Sequence, residues 1–207
     1  MTQRVVLATR NAHKVAELRR ILAEAGLDVE LVGTDAFPDL PEVPETGTTF
    51  AANALLKARA AAAGTGLPAV ADDSGLCVDA LNGMPGILSA RWAGRHGDDV
   101  ANLELVLDQL SDVPDDRRGA HFLCAAAAVL PPESDGAAGE ERVVEGTIEG
   151  SLIRVPRGDN GFGYDPIFVP YGHDRTTAEM EPAEKDAISH RGAAFRALVP
   201  VLRDLLG

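Results

Sequence analysis

Residues 4 to 32 run strand, tight polar loop, helix, strand, and a chain can close that order as two parallel strands only through a helical crossover. Arg4–Ala8 is a short β-rich run that ends at Thr9-Arg10-Asn11. Val15, Leu18, Ile21, Leu22 and Ala25 then recur at helical spacing until Gly26 stops the pattern, and Asp28–Val32 reads as the next strand. A loop rich in acids and prolines covers 35–48. An alanine-rich helix follows from about Thr49 to Ala63, closed by Gly64-Thr65-Gly66. Pro68–Ala71 is another short strand, which runs into a loop, Asp72-Asp73-Ser74-Gly75. Leu76–Leu81 is short and apolar, and Asn82-Gly83-Met84-Pro85-Gly86 turns the chain. Asp98-Asp99 caps a helix that carries Val100, Leu103, Val106, Leu107 and Leu110 on one face.

From Gly119 the pattern changes. Ala120–Leu130, Arg142–Glu149 and Ser151–Val155 read as successive antiparallel strands, with Pro131–Glu140 a polar hairpin tip. A last helix runs from Ser189 to about Leu206, with Pro200 placed to kink or break it. The expectation is a single domain, residues 1–207, in two lobes. One is the βαβ-type N-terminal half with the final helix and the other mostly antiparallel strand, with a ligand cleft between them.

Composition narrows the function. Nineteen Lys and Arg stand against 32 Asp and Glu, a net charge of −13. So acidic a surface repels nucleic acid and anionic lipid, although a small phosphate ligand remains open if a local cation screens it. No stretch approaches the ~18 apolar residues of a membrane span. The chain enters its first strand at once, which predicts no signal peptide. Cys77 and Cys124, both flanked by apolar residues, read as core thiols of a reducing, cytoplasmic compartment.

Three places carry candidate chemistry. Thr9-Arg10-Asn11-Ala12-His13-Lys14 sits where a strand hands over to a helix, and helix N-terminal amides with a hydroxyl and a lysine make a phosphate cradle. The P-loop spacing is absent, and Asn11 as a plain cap beside a solvated Lys14 is the competing reading. Asp72 and Asp73 suit a magnesium ion bound to substrate phosphates, with Glu45 or its rival Glu42 adding a second carboxylate. An Asx turn is the alternative there. Lys57 lies four residues after Asn53, so the two share a helix face. In Gly-Phe-Gly-Tyr-Asp-Pro, an aromatic and a carboxylate in a glycine-dense loop suit a flat heterocycle, whereas a turn with buried rings explains it as well. Lys185 and the pair His190-Arg191 follow.

Taken in order, Thr-x-Asn-x-x-Lys, Glu-Thr-Gly-x-Thr-Phe…Asn-Ala-x-x-Lys-Ala, Ala-Asp-Asp-Ser-Gly-Leu, Pro-Gly-Ile-x-Ser-Ala-Arg, Gly-Phe-Gly-Tyr-Asp-Pro-Ile-Phe and Lys-x-x-Ile-Ser-His-Arg-Gly resemble the inosine/xanthosine triphosphate pyrophosphatases over Arg4 to Leu206. Arg10 stands where many members have glycine, and Ala52 where many have glutamate. The resemblance implies an elongated α/β fold, a mixed sheet in two lobes flanked by helices with a central substrate cleft, and a homodimer. It also implies magnesium-dependent hydrolysis of a deaminated purine triphosphate to the monophosphate and pyrophosphate.

Asp73 would then be the catalytic base and, with Glu45, hold the metal; Asp72 is the alternative base. Thr9 to Lys14 and Lys57 would hold phosphates, and Ser74 would bind substrate. Phe162, Gly163, Tyr164 and Asp165 would frame the base, with Lys185 near base or ribose. His190 and Arg191 would donate to the 6-oxo group that adenine lacks. A pyrimidine triphosphate pyrophosphatase and a non-catalytic nucleotide-binding module are the rival readings.

Overall fold

The structure, a computed structural model, describes residues 3–132 and 139–207, with residues 12 and 13 described by their backbone alone. Among these residues six strands, β1 (Gln3–Leu7), β2 (Val29–Gly33), β3 (Ala69–Val78), β4 (Gly119–Val129), β5 (Glu141–Leu152) and β6 (Phe168–Pro170), make one sheet in the order β2-β1-β3-β4-β5-β6. Among the described residues five α-helices flank it: α1 (Ala12–Glu24), α2 (Phe50–Thr65), α3 (Asp99–Gln109), α4 (Pro182–Ile188) and α5 (His190–Leu206). The expected N-terminal crossover is present, since β1 pairs parallel with both β2 and β3. β5 and β6 pair antiparallel. No helix among the described residues is long and apolar enough to cross a membrane.

The chain divides into two compact units. The first comprises residues 1–73, 124–146 and 192–207, the second residues 74–123 and 147–191, so β3, β4 and β5 each pass from one unit into the other. The first unit packs Leu18, Ile21 and Leu22 of α1 and Phe195, Leu198 and Leu202 of α5 on Val5, Leu7 and Val70 of the sheet. The second packs Leu103, Val106 and Leu110 of α3 with Leu76, Phe122, Ile167 and Phe168. Cys124 lies in the first unit and Cys77 in the second, both buried and in no disulfide. Caps fall where the sequence puts them. Thr49 accepts from the Ala52 N–H at 3.1 Å, Asp98 from the Ala101 N–H, and Gly66 ends α2 at φ +67°.

Four expectations change. Asp72-Asp73-Ser74-Gly75 is no loop at a strand end but the middle of β3. Gly75 fits there because a Cβ would stand 2.4 Å from Ser89 Oγ and 2.5 Å from the Gly86 carbonyl. Arg142–Glu149 and Ser151–Val155 are not two strands. β5 runs through Gly150, a packing glycine whose Cβ would lie 2.4 Å from the Val169 carbonyl of β6. Pro200 does not break α5. It sits on the exposed face, while Phe195, Leu198, Val199 and Leu202 bury the opposite one and hold the helix past the lost N–H bond. Finally, the helix expected from Ser189 starts at His190, because Ser189 is extended (ψ 147°) and separates α5 from α4. Residues 133–138 of the expected hairpin tip lie outside the described residues.

Arg118 anchors the second unit. The residue is 1% exposed, and its guanidinium donates to the carbonyls of Leu110 at the α3 C-terminus (2.7 Å), of Leu152 at the end of β5 (2.8 Å) and of Ile153 (3.4 Å). Arg118→Ala leaves buried carbonyls unpaired, so it should lower stability by about 2–4 kcal/mol. Urea unfolding should show this as a lower midpoint at unchanged slope.

Candidate active site

Successive strand residues turn to opposite sides of the pleat, and β3 uses this to separate its two aspartates. Asp73 turns to α2. There Lys57 Nζ donates to Asp73 Oδ1 at 3.2 Å and to Glu45 Oε1 at 2.9 Å. Asn53, one helical turn before Lys57 on the expected shared face, donates Nδ2 to Asp73 Oδ2 at 3.0 Å. Its Oδ1 accepts the Gly47 N–H at 2.8 Å, so one buried amide ties both the carboxylate and the Glu45 loop to α2. Gly47 is required by that closeness, since a Cβ would stand 2.7 Å from Asn53 Oδ1. Asp72 turns to α1, where Lys14 Nζ donates to its Oδ2 at 2.7 Å.

The charges in this cluster answer one another. Burial pushes the Asp73 carboxyl above the usual carboxylate range; Lys57 opposes this and the charge of Glu45 adds to it. Burial alone would lower the Lys57 pKa, but Asp73 and Glu45 outweigh it and hold the ammonium above its ordinary value. Asp73 therefore combines ionised neighbours with more than ordinary basicity. Its side chain is 11% exposed against 1% for Asp72, which leaves Asp73 the more reachable of the two. Of the competing glutamates, Glu45 shares Lys57 with Asp73, whereas Glu42 is exposed. Among the described residues no three His, Cys, Asp or Glu side chains gather as a metal set. The Glu45–Asp73 pair with a shared cationic partner nevertheless fits a hard ion that takes its other ligands from water and substrate phosphate.

At the start of α1, Asn11 caps the helix, accepting the Lys14 N–H at 3.4 Å, and the Asn11 N–H donates to Thr9 Oγ1 at 3.1 Å. Lys14 is ion-paired rather than solvated. Arg10 is exposed, and the side chains of Ala12 and His13 lie outside the described ones. Ser74 is half-buried on β3.

The second unit holds the base candidates. The two rings of the aromatic loop lie differently. Tyr164 is 4% exposed and donates its hydroxyl to the Ser89 carbonyl at 2.8 Å, while Phe162 is 59% exposed with the Lys185 ammonium 5.4 Å from its ring centre. Burial pushes the Tyr164 phenol well up, so it stays a neutral donor. The Asp165 carboxylate accepts from the Phe162 N–H (2.9 Å), from Thr177 Oγ1 (2.8 Å) and from Lys185. Three of its roughly four lone-pair sites are thus taken by the protein, which makes it first of all the organiser of its own loop. His190 opens α5 stacked on Phe122, ring centres 4.9 Å apart and planes 13° from parallel, and Arg191 follows half-buried.

A family model described as the Ham1 family matches residues 5–201. The chain belongs to the Ham1 family. It is 66% identical over 204 residues to a dITP/XTP pyrophosphatase of Streptomyces coelicolor, covering 99% of each chain. Among solved structures it is similar to a nucleoside-triphosphatase / dITP/XTP pyrophosphatase of Mycobacterium abscessus, with 60% identity, TM-score 0.78, 96% of this chain and 100% of that one. It also resembles a HAM1 protein of Coxiella burnetii, with 43% identity, TM-score 0.88, and coverage of 98% and 100%.

Within this Ham1 chain, residues outside the expected set do much of the holding. Thr177 and Ser89 secure the aromatic loop through bonds that span 12 and 75 residues, a separation with no local sequence signal. Asn53 had one, its helical spacing from Lys57. Asn53→Ala strands the Gly47 N–H and removes one donor from Asp73, so it should cost about 1–3 kcal/mol of stability, read by chemical denaturation. Asn53→Leu, similar in size but unable to bond, should lose as much or more.

Proposed function

We propose that this protein hydrolyses non-standard purine nucleoside triphosphates, ITP, dITP and XTP, to the nucleoside monophosphate and pyrophosphate with magnesium. The observation that carries the reading is the buried Asp73 carboxylate bracketed by Lys57, Asn53 and Glu45, in a chain whose full-length relatives are named dITP/XTP pyrophosphatases. A module that only bound nucleotide would gain nothing from a buried acid of raised basicity beside a second carboxylate. A homodimer in the cytoplasm completes the reading.

Phosphoryl transfer asks for position and charge neutralisation more than for covalent chemistry. Lys14 and Lys57 supply positive charge to the phosphates, each leaving an acid it now bonds. Asp73 holds the attacking water and takes its proton as the new P–O bond forms at the α-phosphorus and the bond to pyrophosphate breaks. Glu45 and Asp73 would hold the magnesium, which when bound screens the phosphate oxygens and stabilises charge on the leaving group.

At the base, Phe162 offers an exposed face for stacking. His190, its plane fixed by Phe122, and Arg191 donate to the 6-oxo group. A 6-amino group leaves those donors unpaired, which costs about 1–3 kcal/mol each.

Two measurements test this reading. Pyrophosphate release from ITP should vanish in excess chelator, and Asp73→Asn should lower kcat by about 10²-fold or more while nucleotide still binds. Full turnover without a divalent cation would overturn the metal assignment. Wild type should favour ITP over ATP in kcat/KM. Arg191→Ala should narrow that ratio by slowing ITP while ATP changes little, and an unchanged ratio would place base reading elsewhere.

A further inference from the structure

Asp98 caps α3, and this leaves the next residue, Asp99, with a carboxylate that the helix does not need. It reaches 64 residues along the chain instead, accepting the Gly163 N–H at 3.0 Å. Gly163 stands at φ +62°, in the left-handed region where glycine is at home. The N–H it donates belongs to the planar peptide that joins Phe162 to Gly163, and the carbonyl of that peptide accepts the Asp165 N–H at 3.3 Å. Asp99 and the Asp165 backbone therefore grip one peptide plane from its two ends. That plane sets the backbone torsion of Phe162, whose ring is exposed and has no core to lodge in.

We propose that Asp99 is a positioning residue. By fixing the Phe162–Gly163 peptide it presents the Phe162 ring as a preformed platform on which a purine base stacks. The inference rests on the reading of this protein as a purine nucleotide hydrolase. Phe162 is tied through its own N–H to Asp165, Tyr164 through its hydroxyl to Ser89, and Asp165 to Thr177 and Lys185. Gly163 is tied by Asp99, which lies outside the loop and away from its motif. A platform left to swing must be ordered by each incoming base, and that ordering cost weakens binding without touching the bond-breaking step.

The variants are Asp99→Ala, Asp99→Ser, whose hydroxyl is too short to reach Gly163, and Asp99→Asn, whose carbonyl oxygen still accepts the N–H. Ala and Ser should raise KM for ITP by about tenfold, the worth of one hydrogen bond to a charged group, with kcat little changed. Asn, whose neutral oxygen still accepts the N–H, should recover most of that loss. In a Phe162→Ala background the Ala and Ser changes should add nothing, because the platform they serve is gone.

Amide exchange over residues 159–165 in the free protein should speed up in Ala and Ser but not in Asn, a readout that needs no substrate. Wild-type KM and wild-type exchange in both Ala and Ser would overturn the proposal, as would an effect on KM that persists in full without the Phe162 ring. Inactivity of wild type on ITP and XTP would instead sink the functional reading and leave the exchange measurement to decide the role of Asp99 in the loop.

Discussion

A carboxylate in the middle of a buried strand is tolerable only if its charge is answered on the spot, and Asp73 shows how much of the first unit is arranged to answer it. Both of its oxygens are bonded, one to the Lys57 ammonium and one to the Asn53 amide, and both partners come from a single face of α2. The same amide fixes Gly47, and the same ammonium fixes Glu45, so the loop before α2 is drawn to the carboxylate by groups that must be there for its sake. Desolvation, elsewhere a cost, here leaves a carboxyl with raised basicity beside a cation. The chemistry proposed for the site is thus a by-product of the way the fold keeps the charge buried.

The second unit solves a different problem. An aromatic ring proposed to stack on a base has to stay in the open, where nothing apolar holds it. The loop of residues 162–165 alternates accordingly. Phe162 faces out, Tyr164 faces in and anchors to Ser89, and Asp165 collects the donors beneath. Rigidity comes from polar contacts under the loop rather than from packing around the ring.

Helices α1, α2, α3 and α5, the Thr49 and Asp98 caps and the N-terminal crossover were legible in the sequence because each is a local pattern of spacing and capping residues, whereas the short helix α4 was not among the expected elements. The site motifs were legible as residue types, and the structure brings Asp73 and Glu45 to the same Lys57 ammonium and, separately, Phe162 and Asp165 to Lys185. The failures share a cause. Asp72-Asp73-Ser74-Gly75 and Gly150 have the composition of turns, and both lie inside strands, because partners distant in sequence either neutralise the charge or need the missing Cβ. Pro200 misled for the complementary reason, since burial of the opposite helix face outweighs one absent N–H. Local propensity reads what a residue does to its neighbours in the chain and is blind to what a remote residue does for it.

The chain carries only three lysines, and all of them are paired with acids of the two candidate clusters: Lys14 with Asp72, Lys57 with Asp73 and Glu45, Lys185 with Asp165. The rest of its positive charge is arginine, whose guanidinium does not acylate under mild conditions. Primary-amine chemistry on this protein is therefore, apart from the α-amino group, chemistry at those clusters. An acylating reagent, a cross-linker or an enzymatic acetylation that would decorate the surface of an ordinary protein acts here as a site-directed modifier, and each side-chain amine it neutralises also strips a buried carboxylate of its counter-ion.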